Sequence, residues 1–319
     1  MLTVSCDLSR LQMEHPAGAA VYAGYVVERL LETGEVRLVS DAESRQADAI
    51  LNLDGHFRSG RGQPVVSAVM DLGHLFARQA YGPLEWTLQN WRVASMARRS
   101  DHLLVPSGPV RSALERYLGV RPERVTVLEP LPAPAFRRPP RAEVEQLRRK
   151  LGLPDRYFLF VGVRSRRKNL PLLAAARKLG GDSLGAAGLV LAGPGRLTLP
   201  DSVDQGYVPA PDLPALLGGA LAWLNPSHYE GSAIGALEAM ACGTPALVAA
   251  TGAQAHAVGM NGMVLPPDDA PEWSKALVEV ATHATSRGLM SAAGLRRIAE
   301  LKATGSPVAP LVSALSGRA

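Results

Sequence analysis

The chain of 319 residues is about twice the usual single-domain size, so two mixed α/β domains, each with its own core, are the natural division. A hydrophobic share of 47% beside a charged share of 20% belongs to an ordinary globular protein and excludes extended disorder. The net charge of +5 is mostly arginine spread over both halves. It reads as compositional habit or as attraction to phosphate-bearing donors, acidic lipids or anionic glycans, and nucleic acid is not an expected partner.

No stretch nears the ~20 apolar residues of a membrane span, and the N-terminus lacks a basic-then-apolar leader. A cytoplasmic protein is expected, with peripheral association at the inner face of the membrane as the alternative. Cys6 and Cys242 are far apart in apolar runs, which argues against a disulfide framework or a zinc site. His15, His56, His102 and His228 show no metal-ligand spacing, so no metal and no other cofactor is expected.

In chain order, strands are predicted at Leu2, Val36, Ala49, Val65, His102 and Val125, separated by helical patterns, which implies parallel pairing. One helix is clear in PVRSALERYLG, with Ser107 as N-cap and Gly119 as its stop. EPLPAPAFRRPP, Glu129 to Pro140, holds five prolines and reads as a semi-rigid interdomain connector. A helix over Arg141 to Leu151 follows, then strands at Tyr157, Leu189, Val203, Leu221, Pro245 and Met263. The expected organisation is a first doubly wound domain over 1–138, a second over 139–300, and a C-terminal segment, 301–319, packing back on the first. Two such domains in tandem would face each other across a cleft where ligands bind.

NPSHYEGSAIGALEAMACGTPALVAAT, Asn225 to Thr251, carries the most chemistry. A strand ends at Asn225, a polar turn holds Glu230, Gly231 and Ser232, and an apolar helix runs to about Ala241. The unpaired amides and positive dipole end of a helix placed there attract phosphate. Eight residues apart, Glu230 and Glu238 are expected ~12 Å apart along the helix at ~1.5 Å per residue, and about 80° apart around its axis at ~100° per step. They could face one long ligand but not one reacting centre, which argues against a paired-carboxylate hydrolase. A sugar–diphosphate–ribose molecule matches that span.

The run PSHYEGSAIGALEAMACGTPALVA resembles the signature of the family 4 retaining glycosyltransferases of GT-B fold, with two glutamates separated by seven residues. LFVGVRSRRKNLPLLAAA, LVLAGPG and VDQGYVPAPDLPALLGGALAWLNPS are similar to further segments of that family in the same order. The resemblance covers about 110 residues. It implies an α/β, two-Rossmann-domain GT-B enzyme whose N-terminal domain takes the acceptor and whose C-terminal domain takes a nucleotide diphosphate-sugar donor. The expected activity is retaining transfer to a hydroxyl acceptor (glycan, glycolipid or small molecule) without a metal.

By that resemblance Glu230 positions the sugar and Glu238 the ribose, while Lys168 and an arginine neutralise the diphosphate. The arginine that often follows the strand-ending glycine is replaced by Val163, so Arg164 is the preferred second cation and Arg167 the next. Amides of Gly231, Ser232, Ala233 and Ile234 would hold sugar and phosphate. Ala233 stands where the family has glycine, which would be strained if that site needs a positive φ. Tyr207 and Val208 match the segment that cradles the base. In the first domain, the stretch from His15 looks like the family's glycine loop, bringing Gly18 near the diphosphate. VVSAVMDLGHLF puts Met70 where a histidine is usual, leaving Asp71, with His74 a turn further on; either is a reacting-centre residue or a structural one. Arg98, Arg99, Arg137 and Arg138 read as solvated charge or as contacts to an anionic acceptor or membrane.

The alternative from another class is a silent homologue serving as scaffold to an active glycosyltransferase, favoured by Met70, Ala233 and the short first domain. A sugar-nucleotide epimerase or a phosphorylase is a third reading. A nicotinamide dehydrogenase is disfavoured because Gly193-Pro194-Gly195 lacks a third glycine.

Overall fold

The computed structural model describes residues 1–7, 18–53 and 55–318. It divides into two units, Met1–Pro130 with Gly305–Ala319, and Leu131–Thr304. The first unit runs β1 (Leu2–Cys6), α1 (Gly18–Leu31), β2 (Val36–Val39), β3 (Ala49–Asn52), β4 (Val65–Ala68), α2 (Gly73–Phe76), α3 (Pro83–Arg99), β5 (His102–Val105), α4 (Gly108–Leu118) and β6 (Val125–Val127). The second runs α5 (Arg141–Leu151), β7 (Tyr157–Val161), α6 (Leu170–Gly180), β8 (Gly188–Ala192), β9 (Ser202–Gly206), α7 (Leu213–Gly218), β10 (Ala222–Asn225), α8 (Ile234–Ala241), β11 (Ala246–Ala249), α9 (Gln254–Val258), β12 (Met263–Leu265), α10 (Ala270–Thr282) and α11 (Ala284–Thr304). The chain then returns to the first unit with α12 (Ala309–Leu315).

Both sheets are six-stranded and parallel throughout, ordered β2-β1-β3-β4-β5-β6 and β12-β11-β10-β7-β8-β9. A parallel sheet needs helices on both faces, and strand alternation sorts the side chains between them. In the second unit Tyr157, Leu159, Val190, Trp223, Ala246 and Val248 point into one core with α7, α8 and α11. Their neighbours Phe158, Phe160, Leu189, Leu191, Leu224 and Leu247 fill the other with α6 and α10. In the first unit Val4, Leu51, Val66 and Leu104 meet α1 and the returning α12 through Leu311, Ala314 and Leu315. Leu103, Val105 and Val125 meet α3 and α4.

Local rules act as the sequence suggests at α4: Ser107 Oγ accepts from Val110 N, and Gly119 closes the helix in the left-handed region at φ 62°. The proline-rich connector divides differently. The unit boundary falls after Pro130, because Phe136 is buried in the second core and Pro139 lies against Gly218. Among the described residues no helix is long and apolar enough to cross a membrane.

Candidate functional site

In the second unit β7 and β10 are neighbours, yet the chain leaves them in opposite directions, β7 towards β8 and β10 towards β11. Two loops therefore diverge at the carboxyl ends of adjacent strands, the topological switch point where such sheets take ligands. The loop after β7 carries Arg164, Arg167 and Lys168; the loop after β10 carries Glu230.

Glycines let these loops approach each other and their neighbours. Gly193 at φ 116° lies so close to the β7 loop that a Cβ there would sit 2.3 Å from the Gly162 carbonyl oxygen. Gly252 at φ 55° lies under the β10 loop, where a Cβ would sit 2.2 Å from the Glu230 carbonyl oxygen. Ala253 N donates to that same carbonyl at 2.8 Å, so the Glu230 backbone is clamped from the β11 side. Lys168 ends a short 3-10 turn, Arg166–Lys168, which passes through Asn169 in the left-handed region (φ 48°) into α6. Asparagine tolerates that conformation, and its Nδ2 donates to Pro267 O at 2.9 Å, fixing the turn to the loop after β12.

The side chains converge on one carboxylate. Lys168 Nζ donates to Glu230 Oε1 at 2.5 Å, and Arg167 Nη1 donates to Glu230 Oε2 at 3.1 Å. Asn225 Nδ2 reaches Oε1 at 3.4 Å, and Ser227 Oγ in turn donates to Asn225 Oδ1. Arg167 also donates to Tyr229 O, and its own carbonyl accepts from His228 N at 2.9 Å. Burial pushes the Glu230 carboxyl up, but the Lys168 and Arg167 charges and the hydrogen bonds outweigh it and hold the group at about 2. Glu230 is therefore a fixed anion between two cations. Removing any one of the three leaves charge uncompensated in a site where all are largely buried.

Glu238 differs. It lies in α8 with no cation beside it among the described residues, and burial raises it to about 8. It also raises buried Cys242, itself pushed by burial to about 12. Glu230 precedes α8 by four residues, so the helical spacing expected between the two glutamates applies only from Ile234 onward. The loop bends because Glu230 is anchored to strand-end groups rather than to the helix.

Gly231, Ser232 and Ala233 form the turn into α8, and Ile234 is its first residue. No side chain caps this helix, so its first amides face whatever occupies the turn. Ala233 sits at φ −109°, ψ 32°, so alanine is accommodated without a left-handed backbone. The Ser232 hydroxyl is buried without a partner. After β9, Tyr207 is partly exposed and Val208 is buried.

Arg164, the preferred second cation, is engaged with β9. Its Nη1 donates to Asp204 Oδ2 at 2.5 Å and to Leu197 O at 3.1 Å, and Gly195 packs against its Cβ. The guanidinium is engaged between β9 and the loop before it, and Arg167 is the arginine that stands with Lys168 on Glu230.

In the first unit Gly18 opens α1, with no atom near the place of a Cβ; His15 to Ala17 of the expected glycine loop lie outside the described residues. Asp71 Oδ1 accepts from Gly73 N at 2.9 Å in the turn after β4. His74 is buried in α2, which lowers its pKa against the opposing pull of Asp71. Met70 packs against the first core. Sequence reasoning did not single out Asn169, Asn225, Ser227 or Gly252 as site residues. Their signal is polar or glycine residues directly after apolar strands, which is ambiguous until the neighbouring loop is known.

Residues 155–283 match the family model "Glycosyl transferases group 1". The D-inositol 3-phosphate glycosyltransferase of Thermobispora bispora is 29% identical over 215 residues, covering 59% of this chain and 49% of its own. The chain thus spans about half the length of that curated relative. The sucrose-phosphate synthase of Thermosynechococcus elongatus superposes with TM-score 0.79 at 15% identity over 100% of both chains. Anabaena HepE, solved with UDP and glucose, superposes with TM-score 0.77 at 14% identity over 98% of this chain and 100% of its own. Likenesses at such identity show the fold, which is GT-B.

Proposed function

From the premise that this chain is a group 1 glycosyltransferase homologue of GT-B fold, we propose that it transfers a sugar from a nucleotide diphosphate-sugar to a hydroxyl acceptor, with retention and without a metal. The observation that carries the reading is the Lys168–Glu230–Arg167 constellation at the switch point of the second unit. Lys168 and Arg167 supply fixed positive charge for the diphosphate that leaves as the glycosidic bond breaks, the service a divalent ion gives elsewhere. The uncapped start of α8 adds amides for phosphate oxygens, and Glu238 meets the ribose hydroxyls.

A carboxyl held at about 2 is a weak base, so Glu230 orients the sugar and sets the two cations rather than taking the acceptor's proton. The proton then goes to the leaving phosphate on the face from which the acceptor attacks, which gives retention. The reaction takes place in the cytoplasm, where activated sugars are made, with the inner membrane face as a site for a glycolipid acceptor.

The test incubates the chain with a panel of nucleotide sugars and hydroxyl acceptors and reads the anomeric configuration of the product by NMR, with and without a chelator. Retained configuration unaffected by chelation, and lost in Glu230→Ala, is the expected result. No transfer or donor hydrolysis with any donor would make the chain a scaffold, and chelator-sensitive turnover would remove the metal-free step.

A further inference from the structure

Helix α3 turns an apolar stripe outward. Leu84 is 73% exposed, Leu88 51% and Trp91 62%, the largest such grouping on one helix among the described residues. Positions 84, 88 and 91 recur at the helical period, so the three side chains share one face over about 10 Å. Beyond the stripe Ser95 on the same face is buried, and past it Arg98, seven residues after Trp91, and Arg99, eleven after Leu88, are exposed again. The opposite side is the packed one, with Met96 and Ala97 buried and Val93 against the core beneath β5.

Core formation therefore does not explain the stripe, and its charge surroundings say what fits it. From Gly73 to Arg99 the chain carries Arg78, Arg92, Arg98 and Arg99 against a single acid, Glu85. Arg92 is engaged with Gly55 O and Arg99 stacks over the Phe57 ring at 4.1 Å, while Arg98 makes no ion pair among the described residues. Two leucines and a tryptophan with basic residues at one end match the interface of an anionic bilayer, where Trp settles at headgroup depth and aliphatic chains enter ~5–10 Å. A second copy of the chain fits less well. The stripe offers a few hundred Å² at most, against about 800 Å² per partner in a stable interface, and it would bring like-charged arginines together.

We propose that the outer face of α3 is a docking surface for an anionic lipid bilayer. Leu84, Leu88 and Trp91 insert, and Arg98 and Arg99 meet the headgroup phosphates. This does not rest on the sugar-transfer reading and is tested without any donor.

The full chain is sedimented with vesicles of phosphatidylcholine alone and of equal parts phosphatidylcholine and phosphatidylglycerol. Binding is expected to the anionic vesicles only, to fall with added salt, and to drop about ten-fold or more in Leu84→Ser/Leu88→Ser/Trp91→Ser. Arg98→Gln/Arg99→Gln keeps the stripe and is expected to lose most of the salt-dependent part. Thermal unfolding of each variant checks that the fold is intact: the triple variant should match the wild-type midpoint, and the arginine variant should lose no more than the Arg99–Phe57 stack, about 1 kcal/mol. Absence of binding to either vesicle, equal binding to both, or unchanged binding by the triple variant would overturn the proposal. Concentration-dependent self-association abolished by the triple change would also overturn it, giving the stripe to a second copy.

Discussion

The switch points of the two units differ in the contacts that their described residues make. In the second, the loops after β7 and β10 are joined by an ion triad, by backbone bonds and by glycines that admit a carbonyl where a Cβ would stand. In the first, β1 and β3 flank the corresponding point, where Arg58 pairs with Asp7 at 3.5 Å and Asn52 bonds the Arg58 backbone; residues 8–17 after β1 lie outside the described residues. In the second unit, a site proposed to hold a diphosphate next to a sugar gains from such rigidity.

If that contrast is right, the heaviest losses follow from the triad. Lys168→Met is expected to cut transfer by roughly 10²–10³-fold, as for other preorganised donors to a developing anion. Glu230→Gln leaves two cations facing a neutral amide and should cost a comparable factor plus stability of about 3 kcal/mol. Steady-state rates and thermal midpoints measure both; near-normal turnover in Lys168→Met would end the assignment of charge to that lysine.

A pair of glycine substitutions sharpens the comparison. Gly252→Ala forces a methyl onto the Glu230 carbonyl at a positive φ and should destabilise by about 2–4 kcal/mol. Gly18→Ala meets no atom of the described residues within 4 Å at the first position of a helix and should change stability by under ~0.5 kcal/mol. Denaturant unfolding of the two variants decides it, and equal effects would erase the distinction between the units.

Titration offers a third test. Glu230 is depressed in the folded state, so its stabilisation is present above the unfolded carboxylate range and is lost as pH falls from about 4.5 through about 2. It amounts to on the order of 3 kcal/mol and should vanish from the acid limb of the stability curve in Glu230→Gln. Glu238 is raised, so its contribution has the opposite sign: it is full below about 4.5 and is lost as pH rises through about 8. A ligand whose hydroxyls donate to the ionised Glu238 must expel its proton near neutrality. Calorimetry of nucleoside diphosphate binding in buffers of different ionisation heat should show about one proton released, absent in Glu238→Gln. Identical proton counts for both proteins would place Glu238 away from the ligand.

Much of this was legible in residue order. The described strands announce themselves mostly as short apolar runs, several of them, such as β5, β7, β8, β10 and β12, ended by glycine, proline or asparagine, and the parallel arrangement follows from the helices between them. Lys168 and Glu230 are legible through motif, since a cation before a helix and an acid after a strand recur together. What was not legible is which neighbour each group finds. Arg164 and Arg167 are equivalent in sequence, and only Asp204, forty residues on and one strand over from β8, separates them. The spacing from Glu230 to Glu238 reads as helical until the anchoring of Glu230 to Asn225 is seen. Such facts are set by contacts between loops, which no local pattern encodes.

The smallest expected effect lies in the first unit and concerns Asp71. Its Oδ1 accepts the Gly73 amide, a local bond that shapes the turn into α2. Asp71→Ala loses the acceptor and should cost about 1 kcal/mol, the usual price of a turn or cap bond. Asp71→Asn keeps an oxygen in the same place and removes only the charge, so its stability should stay within ~0.5 kcal/mol of wild type. The same variant separates structure from chemistry. If the carboxylate serves only the turn, transfer by Asp71→Asn tracks its unchanged stability. A rate loss of ten-fold or more in a protein with a wild-type midpoint assigns the negative charge to the reacting sugar, and the first unit then contributes to transfer through a residue held by one hydrogen bond, where the second uses a clamped triad.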